Sequence, residues 1–164
     1  MAKARTHTGQ RSDKHNAGFG LVEALVVMLI LGVISAIALP SFQSIRASSD
    51  LRSTSSDLAA TITLARTQAV TLRVEVELMP LNNDWSNGWE VTYDWPVGAT
   101  EIEDDLSVVK SGSVTIVGPQ NGVLFRSSGI VSNGAVTFDL CREGWGRDIQ
   151  VTPLGRVTIE ETSC

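Results

Sequence analysis

Two histidines, two cysteines, one acidic run and a single carboxylate inside an apolar stretch are the side chains of this 164-residue sequence that could do chemistry. Both histidines, His7 and His15, fall in the first 18 residues, where Lys3, Arg5, Arg11 and Lys14 face Asp13 alone. If that basic stretch is removed, no histidine is left to activate a Ser or Cys nucleophile. No phosphate-cradling glycine loop is present either, so an enzyme is not expected. Cys141 and Cys164 are the only cysteines, and in an exported body they are expected to form a disulfide rather than a metal site, which would want more ligands. Glu101, Glu103, Asp104 and Asp105 offer hard oxygen ligands of the kind calcium takes, but without EF-hand spacing they read as a solvated loop. No metal and no cofactor is expected. Trp85, Trp89 and Trp95 crowd one hairpin. Trp89 alternates with Val91 and should be core, leaving Trp85 and Trp95 as surface candidates for a carbohydrate or a partner.

The remaining group, Glu23, lies in the apolar run Phe19–Leu39, whose 21 residues would span roughly 31 Å as a helix and so cross a bilayer. The first 18 residues carry a local net of +3, which leaves the rest at −8 against −5 for the whole chain. A basic stretch before the span, and no Lys or Arg after it until Arg46, put the N-terminus in the cytoplasm and the body outside. An acidic body disfavours nonspecific binding to nucleic acid. A secretory signal with cleavage after Ala36-Ile37-Ala38 would explain the apolar run, but not the length of that run or a carboxylate near its start. A carboxylate at that depth costs several kcal/mol and calls for a partner.

Across the boundary the residues read Gly18-Phe19-Gly20-Leu21-Val22-Glu23-Ala24-Leu25, and this closely resembles the processing site of type IV prepilins and type II secretion pseudopilins. The resemblance implies a leader, 1–18, cut after Gly18 by a membrane aspartyl prepilin peptidase, with N-methylation of Phe19. It further implies that Glu23 pairs with the Phe19 amine of a neighbouring subunit and so sets the register of a filament. Gly32 and Pro40 fall where pilins commonly carry helix-weakening residues.

Beyond Pro40, apolar residues at Leu51, Leu58, Ile62, Ala65, Ala69 and Leu72 repeat at helical spacing and define one face, expected to pack on a sheet. Pro40 should loosen the helix where it leaves the membrane. From Arg73 the period becomes two. Val74, Val76 and Leu78, then Trp89, Val91 and Tyr93, read as a hairpin with a long loop, followed by strands at Leu106–Lys110, Ser113–Val117, Gly122–Arg126, Ala135–Leu140, Asp148–Thr152 and Arg156–Glu160. The expected organisation is a leader at 1–18, a transmembrane helix at 19–39, its amphipathic continuation at 40–72 and a β-rich periplasmic head at 73–164. The fold class is α+β: a pilin-like long N-terminal helix packed on an antiparallel head.

Downstream, Leu124-Phe125-Arg126-Ser127-Ser128-Gly129, the strand Val136–Cys141 and the ending Thr152-Pro153-Leu154-Gly155-Arg156-Val157 resemble the pseudopilin-H/FimT/FimU group of minor subunits. Some FimT-like members take up DNA through a Gly-Arg-x-Arg motif. Here Gly155-Arg156-Val157-Thr158 keeps only the first Arg, so Arg147 and Arg156 are the residues a DNA role would use, and acidic neighbours offset them. The expected function is a minor pilin or pseudopilin, anchored by a single pass in the bacterial inner membrane and then assembled into or at the tip of a pilus or secretion pseudopilus. Its expected partners are the prepilin peptidase, other major and minor pilins or pseudopilins and the inner-membrane assembly platform, with nucleic acid unexpected.

Overall fold

A computed structural model describes residues 20–98 and 103–164, with the backbone alone at 36–41. Among the described residues one α-helix, α1, runs from Leu21 to Leu72, and eight strands follow. The chain divides into two compact units, one ending at Pro40 and one from Ser41 to Cys164.

In the first unit the described part of α1 buries nothing. Leu21, Met28 and Leu29 are each about seven-tenths exposed, and a Cβ built on Gly32 would meet nothing within 4 Å. Such an apolar surface is stable only against lipid or other helices. Among the described residues no helix is long and apolar enough to cross a membrane. The stretch expected to do so, 19–39, begins at Phe19, outside the described residues, and its side chains from 36 onward are outside the description. The leader and Gly18 also lie outside them. Gly32 lies inside α1, as does the backbone of Pro40, whose side chain is outside the description.

In the second unit α1 buries Ala47, Leu51, Leu58, Ile62, Ala65 and Ala69. This is the helical face that the apolar spacing defines, with Leu72 only partly covered. The helix ends where Arg73 turns into the left-handed region (φ 59°), a position more often taken by glycine. The strands then form two antiparallel sheets. In the first, the order is β3 (Leu106–Val109), β2 (Gly88–Asp94), β1 (Glu75–Pro80), β5 (Val123–Phe125). In the second it is β4 (Thr115–Val117), β6 (Val136–Arg142), β7 (Trp145–Val151), β8 (Val157–Ser163). Alternate residues of both sheets, Val76, Leu78, Trp89, Val91 and Phe125 from one and Phe138, Leu140, Ile149 and Val151 from the other, join the helix face in one core. This is the α+β arrangement read from the sequence.

Two readings need correction. Trp85 is not a surface residue: it is 2% exposed. A short 3-10 turn, Trp85–Asn87, capped by the Asp84 side chain accepting from the Ser86 N–H, turns the indole inward. There it meets the edge of Phe138, centroid to centroid 4.8 Å, and Nε1 donates to the Pro119 carbonyl at 3.1 Å. The indole N–H is thus satisfied within the fold, which is what lets so large a side chain be buried. Gly118 makes the room, since a Cβ there would lie 2.5 Å from the Phe138 ring. The second correction concerns β7, which starts at Trp145 rather than Asp148. Arg142 pairs with Trp145, and both residues between them, Glu143 (φ 49°) and Gly144 (φ 86°), have positive φ. That is the conformation of a type I′ hairpin turn.

Candidate functional site

The candidate residues that the structure describes lie at the start of α1 and on the head. Glu23 is in the first turn of α1 and exposed. Four N–H groups at a helix start lack intrahelical partners, so a carboxylate here gains about 0.3–1 kcal/mol from the helix dipole. That gain is small beside the cost of placing the same group in lipid. Gly18 and Phe19 lie outside the described residues.

On the head, polar pairs attach α1 to both sheets. Lys110 binds Asp57 at 2.6 Å and sits 5.4 Å over the Trp89 ring, tying the helix to the first sheet. Arg142 pairs with Asp50, tying it to the second. Beneath them Thr61 is 7% exposed; its hydroxyl donates to the Asp57 carbonyl and accepts from Trp89 Nε1 at 3.1 Å. No local signal marks Thr61 for this role, because Thr61 and Trp89 are neighbours only in the fold. Tyr93 donates to Gln68 at 2.5 Å. Burial, then the Glu103 carboxylate, push its phenol above its usual value against the opposing effect of the Gln68 bond, and Asp105 adds to the rise. It remains a donor throughout the neutral range.

The acidic run is expected to be a solvated loop. Glu101 lies outside the described residues, and Glu103, Asp104 and Asp105 are exposed. Among the described residues no group of three or more His, Cys, Asp or Glu could hold a metal. Trp95 is half-buried beside Tyr93, ring centroids 5.9 Å apart. Arg147 and Arg156 are not brought together, since Arg147 lies near the start of β7 and Arg156 just before β8, roughly 16 Å away along the strand. Arg147 is held by Glu161 at 2.5 Å, and of the two only Arg156 is exposed.

Cys141 and Cys164 form a disulfide, Cα to Cα 5.8 Å. Cys141 is in β6, and Cys164, just past β8, donates its N–H to the Gly144 carbonyl at 3.4 Å, so the bridge ties the C-terminus across the β6–β7 turn. Gly146 of β7 permits this approach, because a Cβ there would come within 3.3 Å of Thr162, Ser163 and the Cys164 nitrogen. Closing a loop of this length stabilises by ~3 kcal/mol in the chain-entropy model. Cys164→Ser should therefore lower the midpoint of thermal unfolding by roughly 10 °C. Calorimetry of oxidised wild type, reduced wild type and the variant checks this, and the last two should coincide. A variant as stable as oxidised wild type would show that the bridge adds nothing.

A family profile described as type II transport protein GspH matches residues 54–155, more than half of the chain. A second, the prokaryotic N-terminal methylation motif, matches residues 13–39. Among solved structures, a crystal structure of the type IV minor pilin FimU of Pseudomonas aeruginosa (space group P21) is 20% identical, covers 71% of this chain and 94% of that one, and superposes with a TM-score of 0.57. A second crystal form (P65) gives 20%, 69%, 96% and 0.54. At that identity the likeness bears on the fold alone. No curated protein matches the chain.

Proposed function

From the premise that this chain belongs to the GspH family of type II transport proteins, a prepilin-processed pseudopilin and a structural subunit rather than an enzyme, we propose that it is a minor subunit of an extracytoplasmic filament. In this reading the leader is cut after Gly18, Phe19 is N-methylated, and Glu23 sets the axial register against the Phe19 amine of its neighbour. The protein waits in the inner membrane as a single-pass subunit with its head in the periplasm. It then passes through the assembly platform into or onto the tip of a pseudopilus or pilus. One observation carries this. A methylation motif over 13–39 overlaps the start of a helix, Leu21–Leu72, whose first part exposes apolar side chains and whose second part is the spine of a two-sheet head. Such a helix serves a subunit held first by lipid and then by other helices, since both cover the same apolar surface. The engagement of Arg147 by Glu161, among acidic neighbours, supports a filament role over DNA capture.

The test is a clean deletion in the source organism, complemented with the tagged gene, followed by recovery of sheared surface filaments and assay of secreted proteins. The tagged subunit should co-purify with filaments at low stoichiometry, and deletion should reduce either secretion or piliation. A strain that loses neither, with the subunit absent from filaments, would overturn the reading.

A further inference from the structure

The four sheet edges of the head are treated differently. β4 is three residues long, and the Ile116 N–H is already taken by Ser86 Oγ at 2.9 Å. β5 is also three residues, and the segment 131–133 covers it through a bridge from Phe125 to Val131 and a bond from the Ser132 N–H to the Leu124 carbonyl. β3 has four residues. β8 has seven, pairs with β7 in unbroken register from Val157 to Ser163, and ends the sheet, with no strand on its other side among the described residues. It contains no Pro and no bulge, and its only guard against recruiting another strand is the charge of Glu160 and Glu161, which would turn away an acidic strand but not a basic one.

Beside this edge lies an open groove of about 550 Å³ between α1 and β8, lined by Ala59, Ala60, Thr63, Leu64, Val157 and Ile159 among others. Leu64 and Ile159 are each about two-fifths exposed. A strand added to β8 would lie ~4.8 Å further out and would send every second side chain into this groove, where the small helix residues leave space. Its other side chains would share the outer face of the sheet. That face carries a row of directly opposed carboxylates, Asp139 against Asp148 and Asp148 against Glu160. None of the three makes an ion pair among the described residues. Like charges directly opposite one another destabilise a sheet, so a cation at the end of the row would relieve it.

We infer that β8 and its groove are a strand-docking site for an extended segment with apolar residues at alternate positions and Lys or Arg at the others. On the reading above, a neighbouring pilin-like subunit presents that segment. The mode is β-augmentation, in which backbone bonds give affinity and alternate side chains give selectivity. A second copy of β8 is a poorer occupant, because its charged side chains are Glu160 and Glu161 and it brings no Lys or Arg to the carboxylate row.

The test uses the full chain in detergent micelles and a fluorescent seven-residue peptide of alternating Lys and Val, blocked at both ends. Hydrogen exchange by mass spectrometry reports which strand is covered, and anisotropy reports affinity. The expected result is saturable binding that slows exchange in β8. Binding should weaken at least tenfold for a peptide with Glu in place of Lys, for Glu160→Lys, and for Leu64→Glu, which puts a charge in the groove; unchanged tryptophan emission would verify that both variants are folded. A peptide N-methylated at alternate residues should not bind. The proposal is overturned if β8 exchange is unaffected, if the Lys and Glu peptides bind equally, or if β8 becomes protected by raising the protein concentration without peptide, which would make a second copy the occupant. The peptide assay needs no filament, so it can fail while the deletion phenotype stands, and the reverse.

Discussion

Gly18→Leu is expected to leave the protein in the membrane as a full-length precursor, with no mature chain in sheared filaments. The processing peptidase must bring the carbonyl of residue 18 within attack distance of its catalytic water. A residue without a side chain lets the backbone approach; a misplacement of ~1 Å costs about 100-fold in rate. The uncut leader then compounds the failure. Its net charge of +3 would have to enter the bilayer as the subunit is drawn outward, at a cost of roughly 3 kcal/mol for each basic residue taken to the centre. Intact mass and N-terminal sequencing measure this directly. Wild type should begin at a methylated Phe19, and Gly18→Leu at Met1. Efficient cleavage of Gly18→Leu would remove the steric account. A wild-type chain beginning at Leu39 would identify a secretory signal cut after Ala38 and remove the processing reading with it.

Glu23→Leu is expected to separate processing from assembly. A carboxylate in the membrane costs about 2.5–3.5 kcal/mol, several times what the helix dipole returns to it. Removing it should leave insertion as good as wild type or better, with the cut after Gly18 retained because the bond itself is unchanged. What should be lost is incorporation, since the neighbour's Phe19 amine no longer has a counter-charge. Even 1.4 kcal/mol of lost pairing is tenfold in occupancy, and a pair buried among helices would lose more. Quantitative blots of sheared filaments against membranes should show at least that tenfold fall. Equal incorporation of Glu23→Leu and wild type would mean that Glu23 has no part in assembly.

Features set by near neighbours in the chain could be read without a structure. The N-terminal methylation motif, matched over residues 13–39, is contiguous. The buried face of α1 was legible because Leu51, Leu58, Ile62, Ala65 and Ala69 recur at the helix period, whatever they pack against. The strands were legible from alternation, to within a residue or two at most boundaries. Where the reading fell short, the deciding signal was weak or non-local. Glu143-Gly144 is not among the usual hairpin dipeptides, so alternation alone starts β7 at Asp148, three residues beyond its true start at Trp145. Trp85 sits among Asn, Asp and Ser, a composition that reads as exposed loop. Only its meeting with Phe138 and the Pro119 carbonyl, distant in sequence, makes it core.

The sequence by itself determined the kind of molecule this is: a contiguous N-terminal methylation motif, an apolar helix start with one carboxylate, an amphipathic helix and a run of alternating strands. Each follows from residue type and short spacing, which act before any long-range contact forms. With two cysteines, it also left a single intrachain pairing to consider. Tertiary structure decided how the eight strands sort into two sheets, and that Asp50 and Asp57 reach opposite sheets through Arg142 and Lys110. It also decided that Arg147 is spent on Glu161, and that β8 is left as a sheet edge beside a groove. These depend on pairings between residues tens of positions apart. Alternation fixes which side chains share a face of a strand, but it is silent on which strand lies next to it.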